Sequence, residues 1–298
     1  MMNGTAIGSA APAQALKGTE EARRNPTDAR QATDEVRSVF SALLAQAGHE
    51  GWMSARQPAG PVDAQRAVAS WESWLQAHPG SYSFELRGNP SVRPGKNLDD
   101  LRADYGRILQ QAVQSGAYAV PEAYVRTLPR EDLATLQQVA NLADPIDPTS
   151  LSREAAMNLL LPPGAAVDHD GNGVMAVGRA MTGFFPDSRT PPEVCAAWDA
   201  ATAGLSQQDK LIRMASMLFD PGPQNVHVDA RGAVIRVAFP GDADYVNPRA
   251  AAGFDYAQHA AARLETLERF RGQLEAEQYR QDHAFWQAFR DALAPASR

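Results

Sequence analysis

The sequence predicts a mainly α-helical fold, a multi-helix single body with a small antiparallel β-hairpin element behind a disordered N-terminal tail. Three observations predict it. Apolar residues recur at three- and four-residue steps through most of the chain. Capping residues and Pro or Gly stops bracket those stretches. Period-two alternation is confined to two short segments. With 298 residues and 44% hydrophobic content, the chain has enough apolar material for a sizeable core.

Residues 1–31 are rich in Ala, Gly, Thr and Glu and carry no aromatic side chain. Such a segment buries too little surface to offset its chain entropy and reads as a disordered tail. Residues 32–298 then read as one helical domain, with a sub-boundary near 162–190. Val36, Val39, Phe40, Leu43 and Leu44 place one apolar stripe on a first helix that stops at Gly48 and Gly51. A second helix from Pro61 to Ala77 carries Trp71 and Trp74, spaced as core anchors, and ends at His78-Pro79-Gly80. Residues 81–87 alternate polar and apolar side chains, a strand that needs a partner.

Asn97 with Asp100 caps a helix whose inner face is Leu101, Tyr105, Ile108, Leu109 and Ala112, and Gly116 closes it. Pro121 and Pro129 each open a short helix. Asp144-Pro145 and Asp147-Pro148 break the chain before a helix that ends at Leu159-Leu160-Leu161-Pro162-Pro163. Further on, Pro191–Ala203 is helical, and Ser206 with Asp209 caps a helix carrying Leu211, Met214, Ala215, Leu218 and Phe219. Asn225–Val237 reads as a β-hairpin turning around Ala230–Gly232, the natural partner for Tyr82–Leu86. Two amphipathic helices, with Leu264 and Leu267 on one and Phe285, Trp286, Phe289 and Leu293 on the other, close the core.

The formal charge of −7 and the lack of a basic stripe exclude nucleic acid as a partner. No window approaches 18 consecutive apolar residues, so no membrane span is expected. The N-terminus lacks the basic and apolar regions of a secretory signal, so the cytoplasm is the default compartment, with leaderless secretion as the alternative. A protein partner is left open. Cys195 is the sole cysteine, which excludes an intrachain disulfide, and it reads as a small buried side chain. No nucleophile elbow, phosphate loop or dinucleotide turn is present, so no catalytic residue is assigned.

One stretch carries recognisable chemistry. Asp168-His169-Asp170-Gly171-Asn172-Gly173-Val174 places oxygen side chains at every second residue, a glycine at the sixth position and a backbone carbonyl at the seventh. A calcium ion needs six to eight hard oxygens, and a tight loop delivers them through that spacing. The stretch resembles the first half of an EF-hand calcium loop. The resemblance implies a Ca2+ ion held by Asp168, Asp170, Asn172 and the Val174 carbonyl. The closing half departs from the pattern, because Arg179 stands where a bidentate Glu belongs and Ala176 stands at the ninth position. With two formal charges the site is weak, unless Asp187, Glu193 or Asp199 adds a carboxylate. The competing reading is a bare Asp-Gly-Asn-Gly turn in an interaction module or leaderless secreted effector. His169 is expected to face solvent, and His227, His259 and His283 lack metal-ligand spacing. The segment Pro162–Ala203, and with it the whole chain, resembles bacterial proteins of no assigned role.

Overall fold

Helix α1 (Pro26–Gln46) begins inside the segment expected to be a tail. Asp28 lies in its first turn, where the helix dipole favours an acid. The computed structural model describes residues 26–78, 97–220, 222–251 and 253–294. Ten α-helices and two antiparallel hairpins form one mainly helical body among these residues.

The caps act as the sequence requires. Asp63 accepts from the Arg66 N–H to start α2 (Ala64–Ala77). Asn97 accepts from the Asp100 N–H to start α3 (Leu98–Ser115), and its amide returns a bond to the Asp100 carboxylate. Gly116, at φ 68°, ends that helix in the left-handed conformation. α4 (Pro121–Thr127), α5 (Arg130–Val139) and α6 (Arg153–Leu159) follow. α1 packs on α2 and α2 on α3. Their apolar stripes merge in a first core cluster that includes Phe40, Leu44, Trp71, Leu75, Tyr105 and Ile108. Burying each such side chain contributes roughly 1.5–3 kcal/mol. Trp71 meets Tyr105 edge-on at 4.7 Å and stacks with Trp74 at 5.9 Å, so both indoles are core anchors.

After α6 the chain makes an irregular loop and then a hairpin, β1 (Met175–Val177) with β2 (Ala180–Thr182), paired from Met175↔Thr182 to Val177↔Ala180. Gly178, at φ 58°, occupies the first position of the two-residue turn, where an L side chain would be strained. This hairpin is additional to the expected one. The expected hairpin is present as β3 (Val226–Val228) and β4 (Val234–Val237), with a bulge after His227. Each hairpin is a separate two-stranded sheet. The strand expected at 82–86 lies outside the described residues.

A second core cluster gathers Phe185, Trp198, Leu264, Phe285, Trp286 and Phe289. They come from the segment after β2 and from α7 (Pro192–Thr202), α9 (Tyr256–Arg269) and α10 (Ala276–Leu293). α10 packs on both α7 and α9. Helix α8 (Gln207–Leu218) is capped by Ser206 as expected, but it is turned about its axis. Arg213, Met217 and Leu218 point inward, while Leu211 and Phe219 are each 58% exposed. Arg213 reaches Asp282 of α10, and that ion pair fixes the rotation.

Candidate metal site at the loop 168–174

Helix α6 sets the site. Glu154, Ala155, Ala156, Met157, Asn158 and Leu159 are all buried, so the helix is enclosed on every side. Glu154 and Asn158 stand four residues apart on one face, and that polar pair holds the loop. Asn158 donates from Nδ2 to the carbonyls of Val167 and Ala176, each at 2.9 Å, and accepts the Val167 N–H. It thereby ties the loop's entry to its exit. Glu154 accepts the N–H groups of His169 and Asp170 at one oxygen and of Ala176 at the other.

Within the loop, Asp168 is 2% exposed and organises the turn. Its Oδ1 accepts the N–H groups of Gly171 and Asn172, and its Oδ2 accepts that of Gly173 at 2.9 Å. Asp170 accepts the Asn172 N–H and side-chain amide. Asn172 Oδ1 accepts the Val174 N–H. Gly173 has φ +87°, and a Cβ there would lie 3.3 Å from the Asn247 carboxamide, so both conformation and space call for glycine.

The second half of the chain supports the other side. Ser188 Oγ accepts the Asp168 N–H, and Asn247 donates to the Gly171 carbonyl at 3.1 Å. The Arg189 guanidinium lies over Gly171 and is directed at the Asp168 carbonyl and at Glu50, not at a loop carboxylate. Buried Arg249 donates to the Met217 carbonyl beneath the loop.

Glu154, Asp168 and Asp170 each present a carboxylate oxygen within 4.8 Å of the others, a cluster able to coordinate a metal ion. Among the described ion pairs, none involves these three acids. Burial pushes the Glu154 carboxyl up from 4.5 to about 7, against the pull of its N–H donors. Burial, with the charges of Asp187 and Asp170, raises Asp168 to about 6, while bonds from the Gly173 and Gly171 N–H groups oppose the shift. Three acids are therefore crowded in a poorly solvated spot, and none of them forms a described ion pair, although Arg189 and Arg249 stand beside the loop.

The structure brings Asp168 and Asp170 together and places Asn172 beside Asp170. The Asn172 oxygen is engaged by the Val174 N–H, and Val174 is buried at the loop's exit. The three acids suggested as a remote ligand do not join the cluster. Asp187 accepts from Arg189 and Thr190, Asp199 pairs with Arg30 at 3.1 Å, and Glu193 is exposed in the first turn of α7. Glu154 joins instead, from 14 residues upstream of Asp168. In the sequence Glu154 reads as an ordinary acid in a helix's first turn, and only the burial of residues 154–159 singles it out. Arg179 turns away from the loop and lines a cavity of about 150 Å³ beside Leu142, Pro145 and Ile146. His169 is half-buried rather than solvent-facing, because its ring meets His49 edge-on at 4.9 Å. No protein-family model, curated protein or solved structure matches the chain.

Proposed function

We propose that the chain is a non-enzymatic protein whose loop 168–174 binds a weak, structural calcium ion. Asp168, Asp170 and Glu154 supply the charge, and Asn172 and the Val174 carbonyl supply neutral oxygen. The observation that carries this reading is the approach of three carboxylates within 4.8 Å, two of them buried and none in a described ion pair. Hard oxygen donors with three formal charges suit calcium better than a transition metal, which prefers imidazole or thiolate. Both Glu154 oxygens already accept backbone N–H groups, so this acid does not close the site as a free bidentate ligand would, and the site falls at the weak end of loop affinities, on the order of 10⁻⁴–10⁻³ M. The reading retains the resemblance to a half EF-hand loop and replaces its missing acid with Glu154.

Calcium at ten times Kd should stabilise the protein by about 1.4 kcal/mol, equivalent to a rise in Tm of ~2–4 °C. Chelator should reverse the rise, and Glu154→Gln should abolish it. A wild-type Tm indifferent to calcium, or an equal shift in the variant, would contradict the proposal.

A second reading has its own support. Both oxygens of Asp168, Asp170 and Glu154 already accept hydrogen bonds from the loop, so the turn is complete as an all-protein structure. The protein would then be an interaction module, or a leaderless secreted effector, with a metal-free turn. Calcium-independent melting with an unchanged fold in Asp170→Asn would favour it.

A further inference from the structure

Exposed apolar side chains are unevenly distributed over this molecule. Of the thirteen large hydrophobic residues exposed among the described residues, nine fall between 181 and 246. We propose that they form the interface of a homodimer, whose occupant is a second copy of this chain.

The patch starts on α8. With 3.6 residues per turn, Gln208, Leu211, Ile212, Ala215 and Phe219 share the side opposite buried Arg213 and Met217, and none of them is charged. Phe219 meets Phe239 at 6.5 Å, which carries the surface to the end of β4. The β3–β4 hairpin exposes Ile235 at 68% and Val234 at 61%. A two-stranded hairpin is marginal in water unless something packs on it. The Met181 methyl lies 3.8 Å from where a Cβ on Gly241 would stand, so β2 borders the same surface.

At roughly 100 Å² for each half-exposed side chain of this size, the nine residues present on the order of 900 Å². A monomer's largest apolar patch is normally about 300–600 Å², and each partner of a stable complex contributes about 800 Å². The composition points to self-association. The patch is mainly aliphatic with two phenylalanines, Phe219 and Phe239, as in permanent homodimers, whose interfaces resemble a divided core. Arg236, the cation on β4, is already neutralised by Asp242 and Asp244, so it would neither steer a charged partner nor repel its copy. Each copy carries a formal charge of −7, and close approach costs least through an apolar face such as that of α8, whose outward residues Gln208, Leu211, Ile212, Ala215 and Phe219 are uncharged.

Sedimentation velocity on the full chain, from low to high micromolar concentration, tests the proposal alongside Phe219→Lys and Ile235→Lys. Wild type is expected at twice the monomer mass of 32.1 kDa, and both variants at the monomer mass with unchanged far-UV dichroism. A monomeric wild type throughout would overturn the proposal, as would a dimer indifferent to both substitutions. Particles of no fixed mass would also overturn it. Monomers whose lysine variants melt lower would assign the patch to the chain's own packing, again against the proposal.

Discussion

Asp168 and Asn158 show how single polar side chains can substitute for secondary structure. The turn at 171–173 has no ladder or helix to satisfy its N–H groups, and the Asp168 carboxylate receives all three. Asn158→Ala removes three bonds, two of them fully buried, and should cost about 2–4 kcal/mol in denaturant unfolding. Gly173→Ala should cost ~1–3 kcal/mol, since φ +87° suits glycine and the Asn247 carboxamide stands 3.3 Å from the new methyl.

Protonation acts at the same scale. Glu154 and Asp168 have folded-state values near 7 and 6, above their ordinary 4.5 and 3.8. The folded protein therefore holds these protons more tightly than the unfolded chain does. Their stabilising contribution is complete below about pH 4 and is lost as pH rises through 6 to 7. Burial shifts the His49 and His259 rings downward, with the opposite effect on stability as pH falls. A single Tm profile would mix these trends. In chelator, the difference in Tm between wild type and Glu154→Gln should move against wild type as pH rises from 4.5 to 7.

At the scale of elements, helices with local determinants were legible in the sequence. Caps at Asn97 and Ser206, the stop at Gly116 and the stripes of α1, α3 and α10 depend on residues within a few positions of one another. The rotation of α8 was not legible, because Arg213 is drawn inward by Asp282, 69 residues away. Hydrophobic periodicity alone favours placing Leu211 and Phe219 inside, and a long-range ion pair overrides it. Arg213→Ala should cost ~2–3 kcal/mol, below the ~3–5 of a fully enclosed pair, because Asp282 is 18% exposed and water can reach it. Replacing both partners, as in Arg213→Met with Asp282→Leu, should recover most of that loss in thermal melts. The β1–β2 hairpin was hidden for another reason. Its strands are three residues long, too short for alternation to register, and Gly178-Arg179 is not a strong turn pair.

At the scale of the molecule, the loop 168–174 lies between two apolar clusters. The first draws on residues as far as Val167, and the second begins at Phe185. Glu154 and Asn158 hold the loop from the first side, while Ser188 and Asn247 hold it from the second. The sequence revealed half of this site. Asp168, Asp170 and Asn172 announce themselves by spacing, whereas Glu154 looks like an ordinary acid in a helix's first turn until the enclosure of α6 is known. A cation at the loop would neutralise charge that the two halves jointly enclose, and its binding would be felt on both sides.

Isothermal titration of calcium into chelator-treated wild type and Asp170→Asn tests this account most directly. Asp170 is exposed, and asparagine keeps a side-chain oxygen while removing one charge, so the fold should survive the change. The account predicts one site in wild type with Kd on the order of 10⁻⁴–10⁻³ M, weakened at least tenfold in the variant. An absence of binding heat in wild type through millimolar calcium, or equal affinity in the two proteins, would contradict it.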